Sequence, residues 1–225
     1  MSGKASAIGD IREIYARRQI KKIAARWDAR ADAWDQALKD SACQLNEDDA
    51  YRRFIRIVRR LIARRRQFCA TQGVIDAGCG TGLVLAEVIS AFAWGIGVDI
   101  SPQMIRIARA KRLAKTHFLV GDCFNLPSLC PKAGAVFSRG VLLSHYGCEQ
   151  GQSILEAARS ILLPGGFAVF DFLNKAARTQ HSHIPEKKFW FTGKEIQMMA
   201  RRAGFSAVTI LGQPNRRVRL LLAET

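Results

Sequence analysis

Three carboxylates stand at or just after the ends of three consecutive apolar runs. Asp76 closes Val74-Ile75-Asp76, Asp99 closes Gly97-Val98-Asp99, and Asp122 follows Thr116–Val120. One such acid is an accident of composition. Three in succession line one edge of one crevice, because ligands of open α/β sheets bind beyond the carboxyl ends of the strands. After the first acid comes Gly78-Cys79-Gly80-Thr81-Gly82. Glycine at these positions removes the Cβ atoms that hold a backbone away from a ligand, and the helix that follows offers free N–H groups. Asp99 lies 23 residues after Asp76, close to the offset of about 20 residues expected of a ribose-binding acid. Asp122, one strand further, suits an exocyclic amine. The ligand described by these residues is an adenosine with its 5′ substituent over Gly78–Gly82. An acid at the end of the first strand, and no lysine in the turn, favour an amine-bearing substituent over a pyrophosphate.

The elements that must position these residues follow from the pattern around them. From residue 73 apolar strand-like runs alternate with helical periodicity, the sign of a parallel sheet covered on both faces. Strands are expected at 74–76, 95–99, 116–120, 135–138 and 167–172, with helices over 82–92, 103–113 and 149–163. Ser101 caps the second of these helices with Pro102 in its first position. Asn125-Leu126-Pro127 reads as a loop, as does the polar stretch 173–191. Thr192 and Glu195 have capping-box spacing for a helix through Ala203. Strands at 206–211 and 218–222, joined across Asn215-Arg216-Arg217, end the chain in an antiparallel edge. The fold class is α/β, a Rossmann-like three-layer sandwich.

Residues 1–66 form a helical appendage of different character. Trp27, Ala31, Trp34 and Leu38 recur at helical spacing through Arg26–Lys39, and the two tryptophans share a face that either packs on the domain or closes the pocket as a lid. Asn46 is the expected cap of a following helix with an apolar stripe from Tyr51 to Ile62 and an arginine-rich opposite face. The chain of 225 residues carries a net charge of +16. Residues 1–66 hold 17 Lys and Arg against 9 Asp and Glu, and the remainder holds 18 against 10. Such a field attracts anionic substrates, nucleic acid or anionic lipid, and solvation alone also produces basic faces. The six cysteines are scattered without a CxxC pair, which disfavours a disulfide or zinc framework and makes a reducing cytoplasm the default. No apolar run approaches the ~18 residues of a membrane span.

The stretch Val74–Gly82 resembles motif I of the class I S-adenosylmethionine-dependent methyltransferases, of the small-molecule type. Asp99 and Asp122 sit where that family places its ribose-binding and adenine-binding acids. Pro164-Gly165-Gly166-Phe167, Phe191–Ile196 and Ala203-Gly204-Phe205 resemble its late loop, helix and strand. The resemblance covers about residues 70–225. It implies a seven-stranded sheet of order 3-2-1-4-5-7-6 with strand 7 antiparallel. It further implies S-adenosylmethionine as cofactor, S-adenosylhomocysteine as product, and residues 1–66 as a helical cap over a domain of residues 67–225. Cofactor contacts are then expected from Asp76, Gly78, Cys79, Gly80, Gly82, Asp99, Ile100, Met104, Gly121, Asp122, Cys123, Phe124, Ser138 and Arg139. Cys79 serves as a small packing residue, and Cys123 offers its backbone N–H to the adenine. Gly134-Ala135 depart from an acid many members carry early in strand 4; carbonyls near Ser138 and Arg139 are expected to take over its role.

On this resemblance His145 and Tyr146 reach the pocket mouth. His145, with an ordinary pKa near 6.5, is a candidate general base, and Tyr146 shapes the pocket. Tyr15, Trp34, His181 and His183 are candidate substrate contacts. No metal-binding acids stand out. The expected reaction is an SN2 methyl transfer to an oxygen or nitrogen of a small molecule, driven by alignment. Three other readings stay open: an RNA substrate held by the basic segment, a membrane-linked quinone- or porphyrin-type substrate, and a cofactor-binding protein without turnover. No Asn-Pro-Pro-Tyr signature follows strand 4, which disfavours a nucleobase amine or a glutamine amide as acceptor.

Overall fold

A computed structural model describes residues 21–36, 50–140, 142–181 and 188–225. Its strands are β1 (Gly73–Ala77), β2 (Trp94–Asp99), β3 (Thr116–Val120), β4 (Ala133–Ser138), β5 (Leu162–Leu173), β6 (Ala207–Leu211) and β7 (Val218–Glu224). They form one sheet of order β3-β2-β1-β4-β5-β7-β6. β1 to β5 are parallel, and β7 runs antiparallel to both β5 and β6. Helical segments at 21–28 (α1) and 31–36 (α2) come first. They are followed by α3 (Ala50–Arg64), α4 (Arg66–Thr71), α5 (Leu83–Val88), α6 (Pro102–Ala110), α7 (Leu126–Leu129), α8 (Leu142–His145), α9 (Cys148–Ser160) and α10 (Gly193–Arg202).

The period-two alternation of the strands divides the core in two. Ile75, Val136, Phe170 and Leu221 pack with Leu126, Ile154 and Ile196 of α7, α9 and α10. Val74, Phe137, Val169 and Leu220 pack with Phe54, Leu85 and Ile105 of α3, α5 and α6. Burial on both faces explains why β1 and β4 are buried at every residue. Asp76 has the parity of Val74, so its carboxylate enters the second of these cores.

Chain direction across the sheet reverses between β1 and β4, and that switch point opens a crevice at their carboxyl ends. α6 starts as its cap predicts, with the Ser101 hydroxyl accepting from the Met104 N–H at 3.1 Å and Pro102 in the first turn. The Thr192–Glu195 capping box is complete.

Several boundaries differ from expectation for definable reasons. The helix expected over 82–92 stops at Val88 and tightens into a 3-10 turn, Ile89–Ala91. Phe92 then enters the core edge-on to Phe137 at 6.2 Å. Pro127 does not break the chain: it occupies the first turn of α7, where its missing N–H costs nothing. β5 begins at Leu162, because Leu162 pairs with Ala133 ahead of a register shift. Within 173–191 a 3-10 helix spans Lys175–His181. The preceding Asn174 is buried, and its amide donates to the Pro214 and Arg216 carbonyls at 2.6 and 2.9 Å. The periodicity through Arg26–Lys39 is interrupted at 29–30, where Arg30 N–H donates to the Trp27 carbonyl at 3.0 Å. The break lets Trp27 and Trp34 meet edge-to-face at 5.1 Å. Asn46 and Leu38 lie outside the described residues.

The arginine-rich stretch of α3 and the start of α4 is partly spent inside the molecule. Arg53 donates to the Val218 carbonyl at 2.5 Å, Arg59 pairs with Glu87 at 2.5 Å, and Arg65 pairs with Glu224. Arg56, Arg60, Arg64 and Arg66 remain exposed.

Candidate active site

The site begins where β1 ends. Gly78 and Cys79 both donate to the Val98 carbonyl of β2, at 2.8 and 3.0 Å, which folds the loop back over the strand ends. Gly78, Gly80 and Gly82 all have positive φ, at 74°, 53° and 81°. At Gly80 a Cβ would meet nothing nearer than 3.8 Å, so the loop leaves open space beside Trp34 and Met104. At Gly82 a Cβ would lie 2.8 Å from the Phe118 ring. Gly82→Ala combines a left-handed alanine with a clash and is expected to cost about 2–4 kcal/mol of stability. Urea unfolding measures this, and a loss under about 1 kcal/mol would mean that Phe118 yields.

Asp99 is fixed by backbone donors. One oxygen accepts from Gly80 N–H at 2.8 Å, and the other accepts from Ser101 N–H at 2.9 Å. Burial raises its pKa, and the same two N–H groups offset only part of that rise. Asp76 has no such help. It is buried, and neither carboxylate oxygen has a partner among the described residues. Burial, reinforced by Asp99, pushes its pKa up to about 8. Asp122 is differently engaged. One oxygen accepts from the Phe124 and Asn125 N–H groups at 3.0 and 3.1 Å, and the other accepts from the Asn125 amide at 3.0 Å. Its carboxylate caps the turn that carries Cys123.

α1 and α2 cover the crevice. Asp28 accepts from the Ser101 hydroxyl and from Gln103 N–H, the latter at 3.1 Å at the start of α6. Asp35 accepts from the Thr81 hydroxyl at 2.5 Å and pairs with Lys111 at 2.6 Å. These contacts hold Ile23, Trp27 and Trp34 against the pocket.

At the opposite end, His145 terminates α8 with its ring 5.8 Å from Trp27. Its Nε2 lies 3.2 Å from Lys188 Nζ. Burial, with Lys188 and Arg26 nearby, lowers its pKa to about 4. This differs from the imidazole titrating near neutrality expected of a general base. Tyr146 is buried edge-to-face with Phe124 at 5.2 Å, and burial raises its phenol well above the usual range. Arg139 lies 5.2 Å over the Tyr51 ring, and Gly140 N–H donates to both Asp171 oxygens at 3.2 Å.

One pocket is thus lined by Gly78, Cys79, Gly80, Asp99, Ile100, Met104, Gly121, Cys123, Arg139, His145, Tyr146 and Trp34. Gly82, Asp122, Phe124 and Ser138 lie off its lining, as does the buried Asp76. Tyr15 and His183 fall outside the described residues; His181 closes the 3-10 helix after β5. Sequence reasoning missed Tyr51, Asp28, Asp35 and Lys188 as neighbours of the site. A tyrosine in an apolar stripe, and acids on a polar helix face, carry no signal of what they will touch. Among the described residues, no group of three His, Cys, Asp or Glu side chains could hold a metal ion.

Residues 74–166 match the family model described as methyltransferase domain. The match covers 93 of the 225 residues. Curated relatives match over limited spans. The magnesium-protoporphyrin O-methyltransferase of Rhodobacter capsulatus is 47% identical over 53 residues, covering 22% of this chain and 24% of the relative. A ubiquinone biosynthesis O-methyltransferase of Idiomarina loihiensis is 28% identical over 109 residues, covering 47% and 44%. The chain therefore spans less than half the length of either relative. Among solved structures, magnesium protoporphyrin IX methyltransferase from Synechocystis PCC 6803 with bound SAH has a TM-score of 0.65. That match is 20% identical and covers 80% of this chain and 88% of the other. At such identity the likeness is one of fold, and the sheet of this chain has the order and antiparallel seventh strand that the resemblance implied.

Proposed function

We propose that this chain uses S-adenosylmethionine to methylate an oxygen or nitrogen of a small molecule, releasing S-adenosylhomocysteine. The observation that carries this reading is Asp76, a buried carboxylate with both oxygens unpartnered among the described residues, two residues before the Gly78–Gly82 loop. Such a group either keeps its proton or takes a cationic partner, and the amino end of that cofactor supplies the second. The remaining residues fit the same group. Asp99 is held by backbone donors while lining the pocket, which suits the ribose hydroxyls. Gly121 and Cys123 offer backbone at the adenine end, with Ile100 and Met104 as apolar walls. Asp122 holds that segment in shape. Gly82, Phe124 and Ser138 support the site from behind its lining.

Bound S-adenosylmethionine supplies a methyl group already activated on a sulfonium. What this chain must add is alignment and exclusion of water. We assign α1 and α2 to the lid, with Trp27 and Trp34 as its apolar face. α3, whose apolar stripe belongs to the second core, anchors the lid to the sandwich. With its pKa pushed down, His145 stays neutral and serves as a polar wall of the acceptor site beside Tyr146. An oxygen acceptor is favoured by the names of the matched relatives. Tyr15, His181 and His183 remain candidate substrate contacts. We place the activity in the cytoplasm on cysteine usage; among the described residues no helix is long and apolar enough to cross a membrane.

Calorimetry with S-adenosylhomocysteine and with a nicotinamide dinucleotide tests the reading. The first is expected to bind and the second not. Binding of the dinucleotide alone would replace the proposed donor.

A further inference from the structure

The two ends of the pocket differ in charge. Asp76 and Asp99 stand at the β1 and β2 ends, whereas Arg139, Lys188, Arg26 and Arg30 gather around the β4 end. Lys188 is half-buried, and its Nζ lies 3.2 Å from Nε2 of His145, which lines the pocket. A charged ammonium can only donate, so Nε2 accepts and the ring proton sits on Nδ1. Lys188 has two further N–H bonds to give, and it makes no ion pair with a carboxylate among the described residues. The same holds for Arg26. The titratable and charged groups acting on Lys188 are His145 of α8, Arg26 of α1, Arg30 of the turn after it, and Asp171 of β5. Asp171 also accepts from Gly140 N–H. A half-buried ammonium among arginines, against a neutral imidazole, is a poor arrangement for an empty site. An incoming anion relieves it.

We propose that Lys188, held by His145 at the mouth of the pocket, is the anion-binding residue of the acceptor site, and that the acceptor is a small organic acid methylated on its charged oxygen. This rests on the methyl-transfer reading above. A lone pair of the acid's oxygen forms the O–CH3 bond as the S–CH3 bond breaks, and the electrons of that bond go to sulfur. The negative charge of the acid and the positive charge of the sulfonium cancel, so no proton has to move. That removes the need for a strong base, consistent with a His145 whose pKa lies at about 4. Trp27, His145 and Tyr146 give this end an aromatic wall, which suits a planar acid.

Benzoate and its uncharged isostere benzamide are the probes, titrated into the chain saturated with S-adenosylhomocysteine. Benzoate is expected to bind about tenfold or more tightly than benzamide, as one charge-assisted hydrogen bond provides. Lys188→Met erases this preference and Lys188→Arg retains it, with affinity for S-adenosylhomocysteine unchanged in both. Burial and the nearby arginines lower the Lys188 pKa to about 8. The preference is therefore present below pH 8 and lost as pH rises through that value. Equal binding of the two probes, binding of neither, or a preference that survives Lys188→Met overturns the assignment. If S-adenosylhomocysteine itself does not bind, the methyl-transfer reading fails instead. The same comparison on the free chain then still decides whether Lys188 is an anion site.

Discussion

Asp99→Ala is expected to weaken S-adenosylhomocysteine binding about 100-fold, because two charge-assisted hydrogen bonds at the low end of their range amount to about 3 kcal/mol. The geometry supports so large a figure. Gly80 and Ser101 each donate to a different oxygen of this carboxylate, at 2.8 and 2.9 Å. Its orientation is therefore set before any ligand arrives, and little ordering remains to oppose binding. Asp99→Asn keeps one carbonyl acceptor and loses the charge, so it is expected to fall between wild type and alanine. Calorimetry on the three proteins reads the series. Melting temperatures without ligand separate a damaged loop from a lost contact. A loss below about threefold for the alanine variant removes Asp99 from the ribose role.

Asp76→Asn is expected to move stability and binding in opposite directions. The carboxyl of Asp76 is raised by burial and by Asp99, from the usual carboxylate range to about 8. A raised acid binds its proton more tightly in the folded chain than in the unfolded one. Its contribution to stability is fully present below the unfolded pKa and is lost as pH rises toward 8. The asparagine variant carries no such burden. It should therefore be more stable than wild type at pH 8 by an amount on the order of a few kcal/mol, with the gain vanishing toward pH 4. For S-adenosylhomocysteine the sign reverses. The ligand's ammonium stabilises the ionised carboxylate, so wild-type affinity should rise with pH up to about 8. The asparagine variant should bind at least about tenfold more weakly without that slope. Denaturation and calorimetry at pH 5, 7 and 8 check both halves. A variant that loses stability at pH 8, or that keeps the pH slope in binding, contradicts this account of Asp76.

These two acids differ in how far the sequence discloses them. Their positions at strand ends, and the glycine loop between them, are local facts of spacing. Nothing local distinguishes Asp99, satisfied by two backbone donors, from Asp76, satisfied by none. That difference arises because Asp76 shares the parity of Val74 and enters an apolar core, while Asp99 meets the turn coming back from β1. Asp122 makes the point a third way. The same spacing argument reached it, yet its oxygens are occupied in capping the next turn. The place of His145 after strand 4 is a fact of sequence, whereas its lowered basicity comes first from burial and then from Lys188, 43 residues away in the chain. Trp27 and Trp34 were visible as a pair. Their edge-to-face meeting required a break at 29–30 that the heptad spacing does not announce.

By itself, the sequence determined the layered α/β architecture, the location of the crevice, the glycine floor and the order of the three acids. Period-two and helical apolar spacing, capping residues and glycines act within a few residues of themselves, so they are readable in one dimension. Tertiary structure alone decided which acid is left without a partner, which arginines between 53 and 65 are consumed by Glu87, Glu224 and the Val218 carbonyl, and which lysine faces the histidine. These depend on desolvation and on contacts between elements distant in the chain. The energy of a charge is set by what surrounds it, and the surroundings exist only once the sheet has closed.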